Sequence, residues 1–137
     1  PDVLGRLFNE LSFMGVPPYY VFHCRPTLGN RAYTLPLEQA YEIFEAGRTR
    51  VSGLGKRARF VMSHSTGKIE VVGLTQRHIC FRYQRAAVNE NSARFLVFKR
   101  NPEAYWFDDY NELVDEGSIL GPEGLEEWTL DGVLNPA

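Results

Sequence analysis

Arg59-Phe60-Val61-Met62-Ser63, Ile69-Glu70-Val71-Val72-Gly73-Leu74, His78 through Tyr83 and Arg94-Phe95-Leu96-Val97-Phe98-Lys99 decide the fold class. Each is a short run rich in β-branched or aromatic residues and bounded by turn formers, which predicts a strand. From His78 to Tyr83 the alternation is clean. Ile79, Phe81 and Tyr83 fall on one face, Cys80 and Arg82 on the other. The linking segments His64-Ser65-Thr66-Gly67 and Asn89-Glu90-Asn91-Ser92 are polar turns, and connections this short imply antiparallel neighbours.

Upstream, Tyr19-Tyr20-Val21-Phe22-His23-Cys24 is apolar on both sides, the pattern of a strand buried on both faces, as in a parallel sheet or barrel. Arg25-Pro26-Thr27-Leu28-Gly29-Asn30 breaks it with turn formers. Before it, Val3, Leu4, Leu7, Phe8 and Leu11 recur at helical spacing and predict a helix over 3–14, stopped by Gly15 and Pro17. After it, Thr34 is the expected N-cap of a helix running to about Arg50, with Pro36 in its first turn and Glu38 facing the dipole. Leu37, Ala40, Tyr41 and Phe44 would line its buried face. The expected fold is α+β: a barrel-type β strand and helix, then a mostly antiparallel β sheet of roughly three to five strands, then an acidic C-terminal tail. A short helix is expected near 108–116, and a loosely held tail beyond Gly117.

The chain has 137 residues, 44% hydrophobic and 23% charged, enough for one domain with a core and too few for two. No run of about 18 apolar residues occurs, so a spanning helix is excluded. No signal-peptide order is present, and an opening on Pro1 is what a processed or excised piece would show. Two cysteines, Cys24 and Cys80, cannot build a disulfide scaffold or a structural zinc set, and a reducing cytoplasmic setting is expected. The formal charge of -2 hides a division. Residues 1–100 hold all 15 Lys and Arg against 7 acids, a balance of +8, whereas 101–137 hold 10 acids and no Lys or Arg, a balance of -10. The simplest expectation is that the acidic end lies across the basic body, in the same chain or a neighbour. The sharper one is a basic body that binds a phosphate, a carboxylate or nucleic acid.

Among motifs, Gly55-Lys56 and Gly67-Lys68 both fail the phosphate-loop pattern, which needs a glycine five residues earlier and Ser or Thr afterwards. Lys68 still stands out, following a glycine between two apolar strands, where there would be room for a ligand beside the backbone. A lysine in a dry pocket can form a Schiff base with an aldehyde such as pyridoxal phosphate. The ordinary reading of such a residue is a solvated hairpin lysine. His23, His64 and His78 with Cys24 and Cys80 lack ligand spacing, so no metal site is expected. Ser63 or Ser65 beside His64 lacks a nucleophile elbow. Arg77, Arg82, Arg85, Arg94, Lys99 and Arg100 interleave with Phe81, Tyr83, Phe95 and Phe98, the ingredients of a single-strand platform. Alternation instead puts Phe81 and Tyr83 in the core, which leaves nucleic-acid binding a minority reading.

Pro18-Tyr19-Tyr20-Val21-Phe22-His23-Cys24-Arg25, Leu28-Gly29, Ser52-Gly53 and Phe60-Val61-Met62 leading to Gly67-Lys68 resemble, in order and spacing, the C-terminal part of the lysine 2,3-aminomutase family of radical S-adenosylmethionine enzymes. The segment Asn101 to Tyr110 also looks like a tail seen in relatives of the true lysine enzymes. The resemblance implies that residues 1–55 are a remnant of the last βα unit of a partial barrel, 56–100 a β-rich C-terminal part and 101–137 an acidic aromatic tail. It implies a parent enzyme, an isomerase that shifts an amino group with pyridoxal phosphate, S-adenosylmethionine and a 4Fe-4S cluster. Lys68 would be the lysine that holds pyridoxal phosphate as a Schiff base. The cluster motif C-x-x-x-C-x-x-C lies in the family's N-terminal part and is absent here, so this chain alone is expected to be inactive.

Two departures bear on substrate. Arg25 and Ser63 align with acidic residues that hold the distal ammonium of lysine in the family's lysine enzymes. A cation repels a cation, so the expected substrate is a small amino acid other than lysine, with Arg25 gripping a distal carboxylate. The family's glycine run is reduced to Ser65-Thr66-Gly67, and Phe22 stands where a tyrosine is frequent. A Tyr19–Cys24 strand cut from its barrel would expose apolar surface, which predicts a homo-oligomer or domain swap. The other reading, from a different class, is a non-catalytic interaction module whose basic sheet binds acidic partners or nucleic acid.

Overall fold

Ile79, Phe81 and Tyr83 are all buried, as their alternation requires, and they set the inner face of a six-stranded sheet. The computed structural model describes residues 1–118. Its strands are β1 (Tyr20–Phe22), β2 (Arg59–His64), β3 (Gly67–Leu74), β4 (His78–Ala86), β5 (Arg94–Lys99) and β6 (Leu113–Ser118). They lie side by side in chain order. Only β1 and β2 run parallel, and the helix α2 (Leu37–Arg48) supplies the crossover that a parallel pair needs. Every later pair is antiparallel.

α2 and the helix α1 (Asp2–Phe13) pack on the inner face through Phe8, Leu37, Tyr41 and Phe44. The Phe44 ring lies 5.4 Å from that of Phe60 on β2, and Tyr41 lies 5.9 Å from the same ring. Farther along, Phe81 meets Phe107 at 5.2 Å and Tyr110 at 5.1 Å, so the segment after β5 closes the other end of the same core. The fold is α+β.

The structure corrects the expected barrel character. β1 and β6 form the two edges of an open sheet. β1 is three residues long; Phe22 is 52% exposed and the adjoining Tyr19 61%. An apolar run states that burial is favourable, but not which surface provides it. The expected helix near 108–116 is a single tight turn at Phe107–Asp109 followed by β6. Acidic side chains make that strand suitable: Glu112, just before it, pairs with Lys99 at 2.9 Å, and Glu116 pairs with Arg94. Opposite charges facing across strands favour this pairing. Thus, within the described residues, the acidic end does lie along the basic body. The tail expected beyond Gly117 falls almost wholly outside the described residues.

Thr34 does not cap α2. Its hydroxyl donates to the Asn30 carbonyl at 3.0 Å, and Pro36 occupies the cap position. The Leu37 amide donates instead to the Ala104 carbonyl at 2.8 Å, a tertiary contact that does the work of a cap. Glu38 has a larger role than facing the helix dipole. Buried in the core, it accepts from Arg100 Nε at 2.8 Å, the Asn101 amide at 2.9 Å and the Tyr110 hydroxyl at 3.3 Å. One carboxylate thereby ties α2 to the end of β5 and to the segment beyond.

Candidate functional site

The two-residue turn Ser65-Thr66 between β2 and β3 places Ser63 directly opposite Lys68, and β4 places Arg85 opposite Lys68 on the other side. Residues paired across antiparallel strands project to the same face. That face is the one turned away from the helices. Lys68 is half-buried there, with Nζ 4.4 Å from the centroid of the Tyr20 ring and 5.4 Å from that of Phe22. The edge strand β1 therefore gives Lys68 an aromatic wall. The Tyr20 hydroxyl donates to that of Tyr19 at 3.4 Å, and this contact together with burial pushes Tyr20 above the ordinary phenol range.

On its other side Lys68 borders a cavity of about 330 Å³, shared with Ser63, Ser65, Gly67 and Arg85. A guanidinium and two hydroxyls beside an amine form a donor set that suits an aldehyde carrying a phosphate. These residues fit pyridoxal phosphate. The space expected beside the Gly67 backbone, by contrast, is filled. A Cβ there would lie 2.2 Å from the Arg85 carbonyl oxygen, at a φ of +141°. The glycine serves the close approach of β4, and the cavity lies on the side of the lysine.

Ser63 therefore stands opposite Lys68, whereas Arg25 does not line this cavity. Arg25 is exposed in the loop after β1, where its carbonyl accepts from Asn30 Nδ2 at 2.6 Å. A larger cavity, about 550 Å³, lies elsewhere, between the loop around Leu28 and the segment Tyr105–Asp109. Its lining has no lysine, whereas the smaller cavity holds the Lys68 amine. Tyr20 and Arg85 join the site without having been singled out for it, and Phe22, noted as a departure from a frequent tyrosine, stands there too. The short Ser65-Thr66 turn, read as a hairpin, would have paired Ser63 with Lys68. Arg85 depends on an irregularity in the β3–β4 register between Lys68 and Ile69, for which the sequence has no plain signal.

The other candidates have structural partners. His23 is buried against Phe60 and Trp106 and donates through Nε2 to the Tyr105 carbonyl at 2.9 Å. Burial pushes the Cys80 thiol up, away from the thiolate that binds metals. Among the described residues, no three His, Cys, Asp or Glu side chains are grouped to hold a metal ion. Of the cations on the possible nucleic-acid platform, Arg82 pairs with Glu70 and Arg100 with Glu38, each at 2.8 Å, and Lys99 and Arg94 pair with acids near β6. Phe81 and Tyr83 are core residues. No helix among the described residues is long and apolar enough to cross a membrane.

The fold and site define an α+β protein segment with a half-buried lysine set between the Tyr20 and Phe22 rings and a cavity shared with Ser63, Ser65 and Arg85. It is similar to a protein of Aquifex aeolicus (strain VF5) named "Putative L-lysine 2,3-aminomutase", with 63% identity over 115 residues, 84% of this chain and 31% of that protein. A second protein of the same name and organism is 36% identical over 128 residues, covering 93% of this chain and 28% of its own length. The chain thus spans about a third of the length of the curated relatives it matches, and its resemblance to the lysine 2,3-aminomutase family is a homology to part of such proteins. No family model matches the chain, and no solved structure does.

Proposed function

We propose that this chain is the part of a cytoplasmic radical S-adenosylmethionine isomerase, an amino acid 2,3-aminomutase, that carries pyridoxal phosphate on Lys68. The observation that carries this reading is the placement of Lys68 Nζ against the Tyr20 and Phe22 rings beside Arg85 and Ser63, in a chain homologous to proteins of that name. When bound, pyridoxal phosphate supplies the electron-accepting system on which an amino group can migrate. The residues of this chain bind and orient it. When the cofactor is bound, the Lys68 amine would hold its aldehyde carbon, and the Arg85 guanidinium with the Ser63 and Ser65 hydroxyls would offer donors to its phosphate. Tyr20 and Phe22 exclude water from one side of the amine. The iron–sulfur cluster and S-adenosylmethionine belong to the rest of the parent, so the chain alone does not turn over.

The substrate of this reading is a small amino acid other than lysine, because Arg25 and Ser63 replace the family's ammonium-binding acids. In this reading Arg25, which stands outside the cavity, would grip a distal carboxylate from its loop. The test uses the full-length protein that contains this chain. Pyridoxal phosphate is added, the complex is reduced with borohydride, and labelled peptides are identified by mass. Label on Lys68, lost in Lys68→Ala, is expected; label that is absent or unchanged in the variant refutes the assignment. Turnover of lysine, without turnover of amino acids with acidic side chains, refutes the part given to Arg25.

A further inference from the structure

The Ser65-Thr66 turn that precedes Lys68 is held by a hydrogen-bond chain with a defined direction. His64 ends β2 with its side chain only 6% exposed, packed against the rings of Phe107 at 5.3 Å and Trp106 at 6.4 Å. Its Nδ1 lies 3.2 Å from the backbone nitrogen of Thr66 and 2.7 Å from Thr66 Oγ1. A backbone N–H can only donate, so Nδ1 accepts and carries no proton. The ring proton is therefore on Nε2, which donates to Asp108 Oδ1 at 2.9 Å. The Thr66 hydroxyl donates to Nδ1 and accepts from the Tyr83 hydroxyl at 2.8 Å.

The chain of donors runs from Tyr83 through Thr66 and His64 to Asp108. The Thr66 carbonyl accepts from the Ala87 amide at 2.8 Å, so this one turn residue is tied through its amide, its hydroxyl and its carbonyl. Ser65 and Thr66 are all that separate the paired residues His64 and Gly67, and Ser63 and Lys68 are the next pair. His64 itself borders the Lys68 cavity. Any movement of the turn moves the Ser65 and Gly67 wall against Lys68.

We propose that His64, oriented by Asp108, is a positioning residue for Lys68: its unprotonated Nδ1 holds the Ser65-Thr66 turn in the shape that leaves the lysine open to a phosphate-bearing aldehyde. The inference rests on the reading of Lys68 as the pyridoxal phosphate lysine. Its chemistry separates the two ring nitrogens. His64→Asn places an amide oxygen where Nδ1 lies and gives up Asp108. His64→Gln keeps a donor toward Asp108 and gives up the acceptor that holds the turn.

The experiment measures pyridoxal phosphate affinity by absorbance titration in the full-length protein, with thermal melting alongside. His64→Gln is expected to weaken binding roughly tenfold, the effect of leaving the Thr66 donors without their acceptor. His64→Asn is expected to stay within about threefold of the wild type, the rescue that a purely structural histidine would not show. Equal affinity in the two variants overturns the proposal, whatever their melting temperatures. Asp108→Ala, at an exposed site, covers the case in which His64→Gln does not fold. It is expected to weaken binding about threefold, and wild-type affinity overturns the proposal. Borohydride labelling of Lys68 in the wild type separates the two levels: label present with equal variant affinities defeats only the role of His64, and label absent defeats both.

Discussion

Replacing Gly67 with alanine tests whether the end of the β2–β3 hairpin is built as described. The new methyl group would stand 2.2 Å from the Arg85 carbonyl oxygen and 2.9 Å from the Ala86 Cα, both backbone atoms of β4. Neither can swing aside as the tip of a long side chain can, so β3 and β4 must part. Added to this is the φ of +141°, a conformation that is essentially restricted to glycine. The backbone conformation costs about 1–3 kcal/mol and the overpacking another ~1–3 kcal/mol. Against the ~5–15 kcal/mol that holds a typical domain together, a loss of roughly 2–6 kcal/mol is large. Urea unfolding followed by tryptophan fluorescence reads it as a fall in midpoint. Gly73→Ala, also on β3, is the control, because a Cβ there meets nothing within 4 Å. It is expected to change stability by less than about 1 kcal/mol. Equal midpoints for Gly67→Ala and the wild type would refute the close approach of β4 at Lys68.

Burial pushes the His23 imidazole below its ordinary range, against a smaller opposing effect of its bond to the Tyr105 carbonyl. In the unfolded chain this group takes up a proton near pH ~6.5, so stability is complete above that value and declines as the pH falls toward the lower folded value. His23→Gln, which keeps a donor but cannot titrate, should flatten the acid side of a stability-versus-pH curve; an unchanged slope would count against it. Glu38→Ala strands the Asn101 amide and the Tyr110 hydroxyl and leaves Arg100 only Glu42 and the Thr75 carbonyl, and should lower stability by about 2–4 kcal/mol in urea unfolding. A loss under about 1 kcal/mol would mean that water replaces the carboxylate. The exposed Phe22 and Tyr19 along the unpaired edge of β1 predict self-association of the purified chain, rising with concentration in sedimentation and reduced by Phe22→Lys. A monodisperse monomer at all concentrations would contradict this.

Much of the antiparallel sheet was legible because its signal is local. Alternation over Ile79, Phe81 and Tyr83 and the brevity of the turns leave few other pairings once one face must be buried. The helix over Leu37–Arg48 was likewise visible in its periodic apolar face, but its start was not. Its first amide is satisfied by Ala104, a residue far along the chain, and no local motif records such a partner. β6 was misread for the same reason, since the charges that stabilise it sit on or beside β5. At the candidate site, Lys68 was singled out and Ser63 came with it. Arg85 reached the site only through a register irregularity, and Arg25 stayed outside the cavity.

Residue order alone determined which segments bury a face and where the chain must turn, because these follow from period and from the backbone preferences of a few residues. It also held the homology that makes Lys68 interesting. Tertiary structure decided what stands around that lysine: the Tyr20 and Phe22 rings, the Arg85 guanidinium, and the histidine that ties the turn to Asp108. These contacts join residues many positions apart, and their geometry is set by the packing of whole strands rather than by any spacing in the sequence.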